Sequence, residues 1–355
     1  TFMQSFGKNG RFMTTALNNM NHKDLMNFFT SLKVDTHIPD GFRIFPVTHN
    51  STTIINALQD ELNRLNIEVI CDEKVIDINI EEQTKKVSAV KTQNNTYKTK
   101  NILLATGGLG YPKLGASGDG HTIVKNLGHT ITKIYPAMMP LDTKETWVSK
   151  CTAHTIAKVT IKVNLPNRKL KKLTATGDLI FTKKGIRGPV VLDFAREITP
   201  YIEEFKEVPI LVNLTKGMDE NDIIQYIKKE LIKSKNGKVV DILKDILPYT
   251  VLFEILSSID INIQELYKNL LGTKKEKLIK ILAWTPLTIN GHDGFDKAMI
   301  TRGGVSLKEI DPNSMQSKVI DGLYFAGEIL DLDGPCGGYN LQWSFSSGYL
   351  AGKLL

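Results

Sequence analysis

Cysteine is scarce: Cys71, Cys151 and Cys336 are the three in 355 residues. Their odd number and wide spacing exclude a disulfide framework and a cysteine-based metal site, and fit a reducing, cytoplasmic setting. No apolar run approaches the ~20 residues that a membrane span needs. The first residues, TFMQSFGKNGRF, lack the apolar core of a secretory signal and also lack an initiator Met, so the chain reads as starting inside a larger frame. Internal repeats and low-complexity tracts are missing too. Most telling, no G-x-G-x-x-G opens a strand–turn–helix unit, since GASGDG at Gly115 to Gly120 has its glycines at another spacing. Either a cofactor is held without the usual pyrophosphate helix, or that unit lies upstream of Thr1.

What remains is ordinary globular composition, 41% hydrophobic and 23% charged, in a chain long enough for two or three domains. The formal charge of +7 is modest but uneven. Arg168, Lys169, Lys171, Lys172, Lys183, Lys184 and Arg187 crowd a stretch whose one acid is Asp178. Two readings stay open there: basic strand edges that discourage aggregation, or a surface that tracks nucleic-acid phosphates. Phe181 is the one interleaved aromatic, so base stacking is not indicated.

The stretch Gly322 to Gly348 (GLYFAGEILDLDGPCGGYNLQWSFSSG) reads as a buried strand, an acidic turn at Gly327 and Glu328, a loop, and a helix opening near Gly337. Free N–H groups and the positive dipole end of such a helix favour an electron-rich ligand, a polyphosphate cofactor or a reduced flavin, and Gly337 and Gly338 let it approach. A second strand, NILLATGG, runs out into Ala105, Thr106, Gly107 and Gly108 ahead of a Gly-rich loop and a helix from about His121, with Asp119 placed to cap it. A third glycine turn, Thr301-Arg302-Gly303-Gly304, follows another apolar strand. The three strand ends could line one crevice.

Elsewhere the pattern predicts helices over Asn9 to Asn19, Lys23 to Leu32 and Thr52 to Leu65, the last with Ile54, Ile55, Leu58, Leu62 and Leu65 on one face. Gly41 to Pro46 and Ile67 to Ile80 read as extended. β-leaning segments follow at Ile131 to Met139, Thr155 to Leu165, Lys172 to Phe181, Val190 to Phe194 and Val208 to Leu214, and helical periodicity runs from Asp219 to about Leu282.

Four stretches, FGKNGRF, NILLATGGLGYPKLGASGDGHTIVKNLGH, GDLIFTKKGIRGPVVLDFAR and AMITRGGVSLKEIDPNSMQSKVIDGLYFAGEILDLDGPCGGYNLQWSFSSGYLAGKLL, together resemble the BaiN/RdsA family of NAD(P)/FAD-dependent oxidoreductases. The resemblance covers essentially the whole chain. It implies an α/β fold: a discontinuous, Rossmann-like FAD-binding domain over 1–137 and 297–355, an inserted β domain over 138–215, and a helical subdomain over 216–296. It also implies a G-x-G-x-x-G unit ahead of FGKNGRF, so the chain is expected to be N-terminally truncated and to bind FAD poorly alone. By the resemblance, Ala105, Thr106, Gly107 and Gly108 lie beside the FAD phosphates and ribityl, as do Gly327 and Glu328. Gly337, Gly338, Tyr339 and Asn340 face the flavin pyrimidine edge, and Arg302, Gly303 and Gly304 border the isoalloxazine. Tyr111, Tyr339 and Cys336 are candidates for a catalytic acid. Lys183 and Arg187 stand where many relatives carry His and Ser. The implied function is reduction of a C=C bond with NAD(P)H as electron donor, on uridine in ribosomal RNA. The alternatives are an unsaturated steroid-like acid, an amine oxidase, or an inactive fragment.

Overall fold

A computed structural model describes residues 2–165, 172–233 and 237–354. The chain divides into two compact units, Thr1–Tyr135 with Ile300–Leu355, and Pro136–Met299. Each has its own apolar core.

The first unit opens on a 3-10 segment, Phe2–Met13, running into α1 (Thr14–Asn19). α2 (His22–Ser31) starts at a capping box, in which the Asn21 side chain takes the Asp24 N–H and the Asp24 carboxylate takes the Asn21 N–H. α3 (Ser51–Arg64) forms where its periodicity predicts, capped by Asn50, yet buries no residue. Extended structure is shorter than the sequence suggests. Of Gly41 to Pro46 only Phe45–Pro46 pairs, with Thr36–His37, and Ile67, Val69 and Ile70 lie about half exposed ahead of β1 (Val75–Glu81). β2 (Lys86–Thr92) and β3 (Thr96–Lys98) complete an antiparallel meander with β1. β4 (Ile102–Leu104) then leads to the Ala-Thr-Gly-Gly end, and α4 (Asp119–Asn126) follows the loop. Asp119 does not cap α4. Gly118 holds the cap position at φ 74°, while the Asp119 carboxylate accepts from Ser117 and pairs with Lys74.

The second unit is built on a closed antiparallel barrel. Its strands are β5 (Leu141–Thr143), β6 (Thr155–Val163), β7 (Thr174–Phe181), β8 (Gly185–Arg187), β9 (Val208–Asn213) and β10 (Thr285–His292), in the order β7-β8-β5-β10-β9-β6. Closure leaves no free sheet edge. Between β8 and β9 runs α5 (Pro189–Phe205), which corrects the β-leaning reading of Val190 to Phe194. A three-residue Val-Val-Leu window looks like strand, but Pro189 presets the φ of the first helical turn, and Val190, Val191, Phe194, Ala195, Ile198 and Ile202 then share one buried face. α6 (Glu220–Lys233), α7 (Val239–Leu243), α8 (Tyr249–Ser257) and α9 (Gly272–Ala283) lie between β9 and β10, and their buried faces join the barrel's core. Cys151 belongs to that core, where burial pushes its thiol up to about 11, an inert packing group.

The chain returns to the first unit with β11 (Leu323–Phe325), which pairs in parallel with β4: Leu323 opposite Ile102 and Phe325 opposite Leu104. Both strands are uninterrupted apolar triplets, as a doubly covered parallel pair requires. α10 (Tyr339–Leu354) closes the fold. It is fastened by buried polar groups: Gln342 and Ser346 both donate to the Met20 carbonyl at the end of α1. No helix among the described residues is long and apolar enough to cross a membrane.

Candidate functional site

The parallel pairing of β4 and β11 puts Ala105–Gly108 and Gly327–Glu328 at the same end of two neighbouring strands, and the Ala326 N–H still donates to the Leu104 carbonyl at 3.2 Å. Beyond that point the two strand ends are tied through Thr301. The Leu109 N–H donates to Thr301 Oγ1 at 2.7 Å, and the Thr301 N–H donates to Glu328 Oε1 at 2.7 Å. Gly108 lies directly beneath this tie. A Cβ there would fall 2.1 Å from Thr301 Oγ1 and 2.3 Å from Glu328 Oε1. Gly107 is a different case, with φ 67° and nothing within 4 Å of its Cβ position. It needs glycine for its left-handed backbone, and its face is open.

The turn after β11 is held from behind by α10. The Gly327 N–H donates to Ser347 Oγ at 2.9 Å, and Trp343 Nε1–H donates to the Gly327 carbonyl at 3.3 Å. On its other flank His121, buried in α4, contacts the Ile329 carbonyl through Nε2 at 3.1 Å. Burial lowers the His121 pKa against the opposing pull of that bond, and because a carbonyl only accepts, Nε2 carries a proton. Gly120 lets α4 come this close, because a Cβ there would meet Thr106 Oγ1 at 2.1 Å.

Gly303 and Gly304 are crowded by their own chain. A Cβ on Gly303 would sit 2.3 Å from the Lys133 carbonyl oxygen, and one on Gly304 would sit 2.5 Å from that of Ile329. Arg302 is half-buried and acts electrostatically on Asp331. Burial pushes the Asp331 and Glu328 carboxyls above their usual range. A hydrogen bond from the Thr132 side chain and the charges of Arg302 and Lys8 oppose this at Asp331; Thr301 opposes it at Glu328, while Asp333 adds to it. Asn340 turns back on its loop, accepting the Gly334 N–H at 2.8 Å and donating to the Gly334 carbonyl at 3.0 Å. Tyr339 stacks on Phe2 with ring centroids 4.9 Å apart and meets Phe6 edge-on. Gly337 and Gly338, at φ 119° and 89°, leave the start of α10 uncovered by side chains of their own. Of the other two acid candidates, Tyr111 is exposed at φ 56° and Cys336 is half-buried.

The structure thus gathers Ala105–Gly108, the Thr301 turn and Gly327–Glu328. It adds Thr301, Ser347, Trp343 and His121, none of which the sequence singles out for a role. Their signal was slight: one Thr ahead of Arg-Gly-Gly, and serines in what reads as an ordinary helix. In the second unit Lys172, Lys183, Lys184 and Arg187 are exposed, whereas Arg168, Lys169 and Lys171 fall outside the described residues. Gly185 and Gly188 of that loop are glycine because strands approach closely, their Cβ positions lying 2.1 Å from the Leu141 carbonyl oxygen and 2.5 Å from that of Asp178.

A family model described as HI0933-like protein Rossmann domain matches residues 1–354. A 3-dehydro-bile acid delta(4,6)-reductase of Clostridium scindens is 28% identical over 350 residues, 98% of this chain and 83% of that protein. A ribosomal RNA dihydrouridine synthase of Haemophilus influenzae is 28% identical over 343 residues, 96% of this chain and 82% of that protein. Among solved structures, FrdA of the E. coli quinol fumarate reductase superposes with a TM-score of 0.47 at 15% identity. That match takes in 99% of this chain, which spans 58% of FrdA's length.

Proposed function

The chain belongs to the HI0933-like Rossmann family, and from that premise we propose that it is a flavin-dependent oxidoreductase that holds FAD in its first unit and reduces a carbon–carbon double bond with electrons from NAD(P)H. The observation that carries the reading is the convergence of two parallel strand ends, tied through Thr301, beside a turn that the opening helix α10 braces. Such an arrangement suits FAD on three counts. Gly107 offers an open backbone face at the strand end. Gly337 and Gly338 leave the first turn of a 16-residue helix accessible, where the helix dipole favours negative charge by about 0.3–1 kcal/mol. The Glu328 carboxylate is held in a fixed orientation by Thr301 at the end of β11.

When bound, FAD would supply hydride storage, taking hydride from NAD(P)H and passing it to the double bond. The chain's own groups do the rest. Thr301, Ser347 and Trp343 fix the two turns before a ligand arrives, so little ordering cost remains on binding. The start of α10 would favour negative charge on a group bound there. The second carbon of the double bond needs a proton. Tyr111, with its exposed side chain, and Tyr339, whose ring packs on Phe2 and Phe6, are the phenols that could donate it.

For the substrate we take uridine in ribosomal RNA first, because Lys172, Lys183, Lys184 and Arg187 are exposed cations of the second unit. A delta(4,6)-reductase and a dihydrouridine synthase both add two hydrogens across a C=C bond, so an unsaturated steroid-like acid is the second reading. An anaerobic titration tests both. FAD is added to the purified chain and followed by its absorbance, NADH or NADPH is added to bleach it, and either rRNA or an unsaturated steroid acid is offered for re-oxidation. Binding of rRNA that weakens steeply with salt, followed by dihydrouridine, supports the first substrate. Turnover of the acid alone supports the second, and failure to bleach any bound flavin refutes the function.

A further inference from the structure

His129, just beyond α4, is buried at the centre of a hydrogen-bonded line. Its Nδ1 lies 3.0 Å from Glu309 Oε2 and its Nε2 lies 2.9 Å from Ser317 Oγ. Ser, His and carboxylate in that order have the look of a hydrolytic triad. Counting protons gives a different answer. A serine hydroxyl has one proton and two acceptor lone pairs. Ser317 Oγ already accepts the Val319 N–H at 3.0 Å and the Ile320 N–H at 2.9 Å. Both lone pairs are committed, so its proton must point at His129 Nε2. That nitrogen is therefore the acceptor, and the ring proton sits on Nδ1, donated to Glu309 Oε2, which also takes the Thr130 N–H at 2.9 Å. With its lone pairs spent and 7% exposure, Ser317 is no nucleophile.

We propose that His129, Glu309 and Ser317 form a proton-ordered clasp that works only with His129 neutral and protonated on Nδ1, and that acidification opens it. A second ring proton would have to be donated from Nε2 to an oxygen with no lone pair left. The clasp holds the hairpin that delivers β11 to the site. Within that hairpin the Ser317 N–H donates to the Leu323 carbonyl at 2.7 Å, the Phe325 N–H to the Met315 carbonyl at 3.0 Å, and the Lys318 N–H to the Glu309 carbonyl at 2.7 Å. The Phe325 ring packs edge-on against His129 at 5.2 Å. Among the described residues Glu309 is the one charge acting on the imidazole; Ser317 and Phe325 are neutral. Burial depresses the His129 pKa below its ordinary 6.5, and the attraction of Glu309 offsets only part of that. The folded state therefore binds its proton later than the unfolded state does. Stability from this group is full above about 6.5 and is lost as pH falls from there toward the lower folded value.

The test is long-range nitrogen–proton NMR on the full chain with 15N-labelled histidine, with His129 assigned by the signal missing from His129→Asn. The expected result is an Nδ1–H tautomer at neutral pH, a titration midpoint below 6.5, and amide exchange in 317–325 that accelerates in acid beyond the intrinsic rate change. His121 titrates in the same direction, so the site-resolved signal decides and a bulk melt does not. Should His129→Asn not fold, Ser317→Ala both assigns the ring and tests the idea, because losing the hydroxyl proton that faces Nε2 must raise the midpoint. An Nε2–H tautomer, a midpoint at or above the ordinary value, or a midpoint unmoved by Ser317→Ala overturns the proposal.

Discussion

Gly108→Ala probes the tie between the two strand ends at its tightest point. A Cβ at 2.1 Å from Thr301 Oγ1 and 2.3 Å from Glu328 Oε1 cannot be accommodated, so one or both side chains must move. Moving Thr301 takes the acceptor from the Leu109 N–H, a neutral bond worth about 1 kcal/mol. Moving Glu328 takes the acceptor from the Thr301 N–H, a bond to a carboxylate worth about 1.5–3 kcal/mol. The backbone freedom that alanine removes from the unfolded chain returns about 0.4–1 kcal/mol. If both bonds are lost the net cost is about 1.5–3.6 kcal/mol, roughly ten- to several-hundredfold in the folded-to-unfolded ratio. Gly107→Ala is the control. It meets no atom within 4 Å and suffers only the strain of φ 67°, about 1–2 kcal/mol before the same unfolded-state return. Hydrogen exchange under native conditions, read on peptides spanning 100–110 and 323–330, reports the first unit separately from the second. Gly108→Ala and Thr301→Ala each forfeit the same Leu109–Thr301 bond, so the pair should be less damaging than the sum of its singles by about 1 kcal/mol. If Gly108→Ala costs no more than Gly107→Ala, or the pair is strictly additive, the strand ends are not coupled through Thr301.

Asn340→Ala removes both bonds to Gly334 and should cost about 1–2 kcal/mol, with faster exchange over 334–342 and several-fold weaker FAD binding. Asn340→Asp keeps the acceptor alone and should fall between the two. Trp343→Phe loses the bond to the Gly327 carbonyl and should speed exchange in the 327–330 turn by about 1 kcal/mol, leaving the barrel peptides unchanged. At Glu309 burial alone would raise the carboxyl pKa, but Thr130 and His129 outweigh it and hold it below the usual range. Its stability contribution is thus present above about 4.5 and lost as pH falls through the lower folded value. Glu309→Gln should erase that acid step in a pH series of urea melts while lowering stability at neutral pH.

Several parts of this fold were legible because a local cause sufficed. The apolar triplets that become β4 and β11 each run straight into small residues, and the periodicity of Ser51–Arg64 needs no tertiary context to form α3. Val190 to Phe194 misled because a β-branched pair outweighs a single Pro189 in so short a window, while the face that decides the matter extends to Ile202. The closing of the barrel by Thr285–His292 and the pairing of Leu323 with Ile102 depend on partners far along the chain, which no local pattern encodes.

The glycines show most clearly where sequence reading stops. Gly107, Gly108, Gly303, Gly304, Gly337 and Gly338 all mark turns where backbone is approached, and glycine content alone assigns them one role, room for a ligand. The structure divides five of them by cause, Gly337 lying between with only ordinary contacts to Tyr339 and Arg43. Gly108, Gly303 and Gly304 are glycine because their own protein fills the space, with Thr301, Lys133 and Ile329 as the intruders. Gly107 and Gly338 have no atom within 4 Å and a left-handed backbone, so a ligand can come against them without displacing protein. The two groups therefore answer differently to alanine. Substitution at Gly303 or Gly304 should destabilise the unit whether or not FAD is added. At Gly338 alanine adds backbone strain of about 1–2 kcal/mol and, in addition, a methyl group in the ligand's path, so FAD affinity should fall by more than the change in unliganded stability. Measuring flavin binding and hydrogen exchange on the same three variants separates these causes. Equal losses of affinity and stability at Gly338 would mean that the start of α10 is not where the cofactor rests.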